Sequence, residues 1–309
     1  MRKSKLFKLT LLFLSLVTVL SGCGFPGLNS SSDDTVKIAA QNTTEQQIMA
    51  AMLQQMIEHY SNLNTTVISN LGSGTVSFQA QKRGDADLTA IRYNGTDFQT
   101  ILNKSGETDP EKVDQLVRKA FKDKYHMTYF PSYGFADTYQ FMVTQKYAKA
   151  HNLNTVSDLK KIAPSMRVGI DQIWMNRQGD GYADFQKRYG FSFGRVYPMQ
   201  IGLVYNALAS GKMDAVLGYS TDGRIGSYNL KLLKDNLNYF PPYNASVVVN
   251  DSALKRHPQL KSILHRLDGK IPLKTMQSLN YKVDNNLQEP SVVAKQFLQQ
   301  HHYFEGSDD

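Results

Sequence analysis

The sequence predicts an α/β protein with two lobes, a hinge and a ligand cleft between the lobes. Apolar runs of strand length alternate with amphipathic helical segments, which is the pattern of sheets covered by helices. A first series of these segments ends near Tyr129 and a second series follows it. The C-terminal part contains one more strand and returns to the first series. Ligands of such sheets bind beyond the strand ends, where a hinge can close the cleft.

The first lobe is expected to hold a parallel sheet between helical layers, because its elements alternate as β-α-β-α-β. Its strands are expected at 36–40, 66–71 and 87–93, and its helices at Thr44, at the turn Gly72–Gly74 and at Pro110–Lys124. Apolar residues recur at helical spacing after Thr44, so we expect Thr44 to be the N-cap with Gln47 as its capping-box partner. The glycine turn is more typical of packing than of an anion site.

The second series predicts the second lobe, after which the chain returns to the first. Its strands are expected at 139–144, 167–170, 195–198 and 214–217, with helices at 156–161, 182–189 and 200–210. The C-terminal region is expected to add a strand at 246–249 and helices at 251–266, 272–279 and 290–301. We therefore assign residues 35–129 plus 234–309 to lobe I and residues 130–233 to lobe II.

Residues 1–22 have the composition of a secretory signal. Four basic residues precede the apolar segment Leu9–Leu20, which is shorter than the roughly 20 residues of a membrane span. The segment Leu20–Cys23 resembles a bacterial lipobox, and Cys23 is the only cysteine. We expect cleavage before Cys23, two acyl chains that anchor the protein to the outer face of the cytoplasmic membrane, and a flexible tether over residues 23–34. The alternative is an ordinary signal peptide.

The composition argues against several classes of protein. The chain has 35 basic and 27 acidic residues, and four of the basic residues belong to the signal, so the remainder is only mildly positive. No Lys/Arg-rich block follows, so nucleic-acid binding is not expected. The seven histidines show no metal-ligand spacing, and the adjacent His301 and His302 are expected on the surface. We expect a monomer without metal or cofactor.

The sequence contains no recognisable catalytic motif. The segment Gly218–Asp222 is not a nucleophile elbow, because Asp stands where that motif has its second glycine. Neither a P-loop nor a dinucleotide-binding fingerprint occurs. The sequence therefore favours a binding protein over an enzyme. Two rival hypotheses are a surface α/β hydrolase and a binding protein for another solute, such as an amino acid or an inorganic anion.

Tyrosine is the residue type that stands out, with 17 tyrosines against one tryptophan. Four of them lie just beyond expected strands or beside turn residues, namely Tyr93, Tyr139, Tyr219 and Tyr243. A single tyrosine is more often a core residue, but four in one cleft would form a box of aromatic faces. Such faces attract cations by about 0.5–2 kcal/mol each when desolvated. A quaternary ammonium group, which donates no conventional hydrogen bond, is the ligand that suits such a box.

Five segments together resemble one known family, the lipoprotein type of substrate-binding protein that serves ABC transporters for glycine betaine, carnitine and choline in Gram-positive bacteria. The segments are Asp85–Asp97, Ser132–Thr144, Tyr197–Gly223, Phe240–Tyr243 and Glu289–Phe297. The resemblance covers essentially the whole mature chain. It implies a bilobed periplasmic-binding-protein fold of the type II kind, a quaternary amine as ligand, and a membrane permease and a cytoplasmic ATPase as partners.

The resemblance also implies roles for individual residues. Members of the family hold the quaternary ammonium in a tyrosine cage, which matches the four tyrosines named above, with Asp137 near the cation. The ligand's carboxylate or other polar end is expected to contact Gln41, Thr96 and Arg177. Since Thr96 is neutral, both carboxylate-bearing and hydroxyl-bearing ligands should be accepted. The sequence thus predicts a receptor of broad specificity that supports protection against osmotic stress.

Overall fold

The computed structural model describes residues 34–107, 109–241 and 243–305. The expected signal peptide, Cys23 and nearly all of the tether lie outside the described residues. From Val36 onward the chain forms one compact unit. None of the helices in the described ranges is long and apolar enough to cross a membrane.

Ten strands and thirteen α-helices make up the described part of the chain. The strands are β1 Thr35–Gln41, β2 Asn64–Leu71, β3 Leu88–Tyr93, β4 Met127–Tyr129, β5 Tyr139–Thr144, β6 Arg167–Asp171, β7 Arg195–Met199, β8 Ala215–Tyr219, β9 Leu230–Leu232 and β10 Ala245–Asn250. The helices are α1 Thr44–Tyr60, α2 Gly74–Arg83, α3 Asn94–Thr100, α4 Pro110–Tyr125, α5 Gln145–His151, α6 Gln172–Met175, α7 Tyr182–Tyr189, α8 Ile201–Ala209, α9 Arg224–Ser227, α10 Asp251–Arg256, α11 Gln259–His265, α12 Leu273–Asp284 and α13 Pro290–Gln300. Two 3₁₀-helices cover Val156–Lys161 and Ala163–Ser165.

The strands form two separate mixed sheets of five strands each. The first has the order β2-β1-β3-β10-β4, in which β1 and β3 are parallel and β10 is antiparallel to both of its neighbours. The second has the order β7-β6-β8-β5-β9, in which β6 is parallel to β7 and β8 while β5 is antiparallel to β8 and β9. The expected parallel first sheet is therefore corrected to a mixed one, because the returning strand β10 enters beside β3 in the opposite direction.

Each sheet has its own hydrophobic core. The core of the first sheet lies beneath α1, whose apolar side chains, from Ile48 to Ile57, are completely buried at helical spacing. The core of the second sheet is rich in aromatic rings, with Phe141 packed 5.1 Å from Phe185 and 6.0 Å from Trp174 between ring centroids. The buried clusters of the first sheet are separate from those of the second, which is consistent with two lobes instead of one continuous sheet.

Most expected elements are present within one to three residues of their expected ends, and two details were wrong. The N-cap of α1 is Thr43, without a side-chain capping bond, and Thr44 instead donates its hydroxyl hydrogen to Asp284 Oδ1 at 2.5 Å. The helix expected at 251–266 is divided into α10 and α11. The division occurs at His257 and Pro258, because proline has no N–H to continue the helix. His301 and His302 are exposed, as expected.

Two chain crossings run side by side between the sheets. An antiparallel bridge pairs Ala136 with Asn244, and the Asp137 N–H donates to the Tyr243 carbonyl oxygen at 3.2 Å. Phe135, just before the bridge, packs in the first core, whereas Phe240 packs against the second. The expected lobe boundaries at 129/130 and 233/234 remain a prediction, and we propose the bridge as the point where both crossings change lobe.

A third contact between the lobes is made by α12. Gln277 Nε2 donates to the Ser220 carbonyl oxygen at 2.7 Å, and Asn280 Nδ2 donates to the Thr221 carbonyl oxygen at 2.9 Å. An added Cβ at Gly223 would lie 2.5 Å from the backbone of Tyr281, so this close approach requires glycine. The turn after β8 is therefore held against lobe I in this structure.

A buried ion pair ties β3 to α3. Arg92 and Asp97 are both 2% exposed, and Arg92 Nε donates to Asp97 Oδ2 at 2.8 Å. The same guanidinium donates to the Gly74 carbonyl oxygen at 3.1 Å, and the Tyr129 hydroxyl donates to Asp97. This network fixes the end of β3 and the beginning of α2 and α3, and these elements carry the first lobe's share of the site described below.

Replacing Arg92 with Met should lower the free energy of unfolding by about 3–5 kcal/mol, because Asp97 would keep a buried charge without its partner. Urea unfolding followed by circular dichroism measures this loss. The matched control is Lys119→Met, whose ion pair with Asp123 lies on the exposed face of α4, and it should leave the midpoint unchanged. Equal midpoints for the two variants would contradict the role of the Arg92 network.

Candidate ligand-binding site

Four tyrosines from three strand ends and one crossing meet in a single cluster. In the antiparallel pair of β5 and β8, Tyr139 lies directly opposite Tyr219, because β5 begins where β8 ends. In the pair of β10 and β3, Ala245 lies opposite Tyr93, so Tyr243 reaches the same region from two residues upstream. All four side chains pack in or against the aromatic core of the second lobe. The structure thus brings together all four tyrosines that the sequence singled out.

Tyr139 and Tyr219 share one carboxylate. Their hydroxyl groups both donate to Asp171 Oδ2, at 3.3 and 3.0 Å, and their ring centroids lie 5.4 Å apart at 61°. Asp171 is the last residue of β6 and is buried, which raises the pKa of its carboxyl above the usual range, although the bonds from Ile173 N–H and the two tyrosines oppose this effect. The shared acid holds both rings by their hydroxyl groups, so the ring faces are not used in binding the acid.

Tyr243 belongs to a second group with Arg177 and Asp180. Its hydroxyl donates to Asp180, and Arg177 Nε donates to the other oxygen of that carboxylate at 2.6 Å. The Arg177 guanidinium carbon lies 5.6 Å from the ring centroid of Tyr243 and 5.7 Å from that of Tyr139. Two of the tyrosine faces are therefore already in contact with a positive charge in this structure.

The segment that carries Arg177 is closely packed. The indole N–H of Trp174 donates to the Asp180 carbonyl oxygen at 2.5 Å, and an added Cβ at Gly181 would lie only 2.0 Å from the Arg177 carbonyl oxygen. At its other end Arg177 Nη2 donates to Gln99 Oε1 of α3 at 2.6 Å. Arg177 is thus held rigidly by its own lobe and extends to a helix of the other lobe.

Tyr93 contacts a buried acid that sequence reasoning did not identify. Its hydroxyl donates to Glu45, which lies in the first turn of α1 and is 4% exposed. Asp137 interacts with Glu45 and accepts a hydrogen bond from the Thr221 hydroxyl at 2.9 Å. Burial raises the pKa of both carboxyls, and the neighbouring Glu45 charge raises that of Asp137 further.

Two of the three residues expected at the polar end of a ligand, Gln41 and Thr96, lie on the first lobe, whereas Arg177 lies on the second. The nearest atoms to a Cβ built on Gly74 would be Thr96 Cγ2 at 3.9 Å and Gln41 Nε2 at 4.0 Å, so both side chains border the same backbone position. Gln41 ends β1 and Thr96 lies in the first turn of α3. Ser73, the N-cap of α2, accepts from the Val76 N–H, so the glycine turn is a capped helix start.

A family model described as the substrate binding domain of ABC-type glycine betaine transport systems, OpuAC, matches residues 34–300. The chain belongs to the OpuAC family. It is 50% identical over 306 residues to the carnitine transport binding protein OpuCC of Listeria monocytogenes, which covers 99% of each chain. It is 29% identical to a glycine-betaine-binding protein of Pseudomonas aeruginosa, over 94% of this chain and 95% of the relative.

Solved structures confirm the bilobed fold of this OpuAC-family chain. A crystal structure described as a glycine betaine/carnitine/choline ABC transporter matches with a TM-score of 0.80 and 50% identity, over 87% of this chain and 100% of that one. Lactococcal OpuAC with bound glycine betaine matches with a TM-score of 0.61 at 17% identity, which supports the fold alone. The predicted fold class is therefore correct.

Four polar residues of this OpuAC-family site were missed by sequence reasoning. They are Glu45, Asp171, Asp180 and Asn280. Asp171 carried a usable signal, since it directly follows a buried strand run. Glu45 and Asn280 lie on amphipathic helices, where a polar residue is usually solvent-exposed, so nothing in the sequence marked them. Among the described residues no group of acids, histidines or cysteines is arranged to hold a metal ion.

Proposed function

We propose that this chain is the extracytoplasmic substrate-binding component of an ABC importer for the quaternary-ammonium osmoprotectants glycine betaine, carnitine and choline. The observation that carries the proposal is the cluster of Tyr93, Tyr139, Tyr219 and Tyr243, which is lined on its outside by buried acids. Aromatic faces and nearby negative charge both favour a cation that donates no hydrogen bonds. The names of the relatives, which bind carnitine or glycine betaine, agree with this ligand class.

In this proposal the four tyrosines surround the trimethylammonium group, and Asp137 supplies negative charge close to it. Gln41 and Thr96 then face the other end of the ligand from the first lobe. Arg177 contacts a ligand carboxylate from the second lobe, which is supported by its bond to Gln99, three residues along α3 from Thr96 and so on the same helix face. Closure of the lobes provides selectivity and the signal to the permease, and no bond of the ligand is made or broken.

The proposed partners follow from the same function. The chain would act as a monomer that docks on a membrane permease, which a cytoplasmic ATPase drives. Two acyl chains on Cys23 would hold it at the outer face of the cytoplasmic membrane, within reach of that permease. The uptake of osmoprotectants through this system would support growth under osmotic stress.

Ligand binding should depend on the tyrosine faces. In isothermal titration, Tyr139→Ala and Tyr219→Ala should each weaken glycine betaine and carnitine binding by about 2- to 30-fold, the loss of one aromatic face. Tyr219→Phe keeps the aromatic ring, so it should lose less affinity for both ligands than Tyr219→Ala does. The control Tyr197→Ala removes a tyrosine that is 39% exposed on β7 and should bind as the wild type does.

The ligand panel distinguishes the proposal from its rivals. It contains glycine betaine, carnitine, choline, a set of amino acids, and ergothioneine, because a Helicobacter pylori ergothioneine transport permease and binding protein is 30% identical over 88% of this chain and 48% of its own. Binding of an amino acid alone, or turnover in a screen of hydrolase substrates, would overturn the proposal. So would unchanged affinities in both alanine variants.

Thr96→Asp should change the choice between ligands. A carboxylate at this position repels the carboxylate of glycine betaine and carnitine but not the hydroxyl of choline. We therefore expect about tenfold or greater loss of affinity for the first two and little change for choline. Thr96→Asn is the matched neutral control. Retained glycine betaine affinity in the Asp variant would remove Thr96 from the polar end of the site.

The lipid anchor can be tested separately. When the full chain is produced in a Gram-positive host, metabolic labelling with a radioactive fatty acid should mark the wild type and not Cys23→Ser, since no other cysteine is present. The variant should appear in the medium instead of the membrane fraction. Label on the variant would show that the chain is modified elsewhere.

A further inference from the structure

Glu45, which is buried, and Asp137, which is half-buried, form a pair of acids beside the tyrosine cluster. Glu45 lies on α1 of the first lobe, whereas Asp137 lies on the crossing to the second lobe. The two carboxyl groups interact with each other, and burial raises the pKa of both. Thr221 and Asn280 connect them: the Thr221 hydroxyl donates to Asp137 Oδ1 at 2.9 Å, and Asn280 Nδ2, which donates to the Thr221 carbonyl oxygen, lies 3.5 Å from Glu45 Oε2. Two neighbouring carboxyl groups repel each other when both are ionised, and one shared proton would relieve that repulsion and leave the pair with a single negative charge.

The tyrosines that interact with the pair are neutral, and the nearest guanidinium is paired with other acids. The titratable side chains that interact with it are Tyr93 on β3, Tyr219 at the end of β8 and Tyr205 on α8. Burial raises the pKa of all three, so they are uncharged at neutral pH. The guanidinium on the adjacent turn, Arg224, is bound to Asp222 at 2.8 Å and lies 3.5 Å from Asp284.

The remaining neighbours leave an acceptor unused. Asn280 Nδ2 donates to the Thr221 carbonyl oxygen and lies 3.5 Å from Glu45 Oε2. Asn280 Oδ1 is buried and has no hydrogen-bond partner in the described part of the chain. The negative charge of the two acids and the unpaired Asn280 Oδ1 would both be stabilised by a nearby positive charge.

The pair is also connected directly to the tyrosines. Glu45 accepts the Tyr93 hydroxyl hydrogen, and the Asp137 N–H donates to the Tyr243 carbonyl oxygen. Asp137 lies two residues before Tyr139 in the same segment. A cation held by these tyrosines would therefore lie close to the shared proton.

We propose that Glu45 and Asp137 act together as the counter-charge of the bound cation and release their shared proton to the solvent when the cation enters. This inference rests on the proposed function. The O–H bond of the protonated acid breaks, its electron pair remains on the carboxylate oxygen, and water or buffer takes the proton. The ligand's quaternary ammonium has no proton of its own, so any proton released on binding comes from the protein.

The direction of the pH dependence follows from this step. Burial raises the pKa of the pair in the empty site, and a bound cation would lower the pKa at which the pair loses its proton. The affinity for the ligand is therefore greatest above the pKa of the empty site. It falls as the pH drops toward the lower pKa of the occupied site. Between the two values the change is at most about tenfold per pH unit, because one proton is involved.

Titration calorimetry on the full chain tests the proposal without any variant. Glycine betaine and choline are titrated at one pH in phosphate and in Tris, whose ionisation enthalpies differ, and then from about pH 5 to about pH 8. We expect release of up to one proton for both ligands, since they share only the ammonium end. Binding without proton release, and with a pH-independent affinity, would overturn this inference and leave the proposed function intact. Failure of every quaternary amine to bind at any pH would overturn the proposed function itself.

Two variants test which acids release the proton when the ligand binds. In Glu45→Gln the neighbouring charge that raises the pKa of Asp137 is absent, so the pH dependence of the affinity should move to lower pH. The matched control Glu58→Gln changes the same residue type on the exposed side of α1 and should keep both the release and the pH profile. A pH profile in Glu45→Gln that matches that of the wild type would assign the proton to another acid, such as Asp171, and overturn the proposal.

Discussion

Two antiparallel strand pairings determine where every aromatic residue of the site lies. Because β5 is antiparallel to β8 and β10 is antiparallel to β3, the beginning of one strand lies beside the end of the other in each sheet. Tyr139 therefore faces Tyr219, and Tyr243 approaches Tyr93. An all-parallel arrangement would have placed the starts of β5 and β10 at the opposite edges of their sheets. The convergence of the tyrosines, and with it the proposed cation site, depends on this geometry.

The tyrosines are held by acids, and the acids in turn determine the electrostatics of the cluster. Asp171 binds two tyrosine hydroxyls, Asp180 binds one, and Glu45 binds one. Only Asp180 has a cationic partner, Arg177, among these contacts. Burying the other carboxyl groups costs free energy unless hydrogen bonds or a positive charge compensate for it. A cationic ligand would provide that compensation. The acids that orient the tyrosines would therefore also favour a positively charged ligand.

Local pattern predicted most of the fold because each lobe is built from ordinary strands and amphipathic helices. The error at Thr44 arose because a distant contact replaced a local preference. Thr44 resembled an N-cap, but its hydroxyl bonds Asp284 of α12 instead. The four tyrosines could be singled out because they stand at strand ends and turns. Glu45 and Asn280 could not, because their roles depend on partners in the other lobe or on the crossing.

By itself the sequence determined the alternation of strands and helices and the residue types available for binding, and it predicted a secretory segment with a single cysteine. These are properties of neighbouring residues, so local periodicity and composition are sufficient to read them. Only the tertiary structure decided that both sheets are mixed, that α12 packs against the turn after β8, and that Glu45 and Asp137 come into contact. Strand direction and register between remote segments are set by the packing of two complete cores, which no single segment encodes.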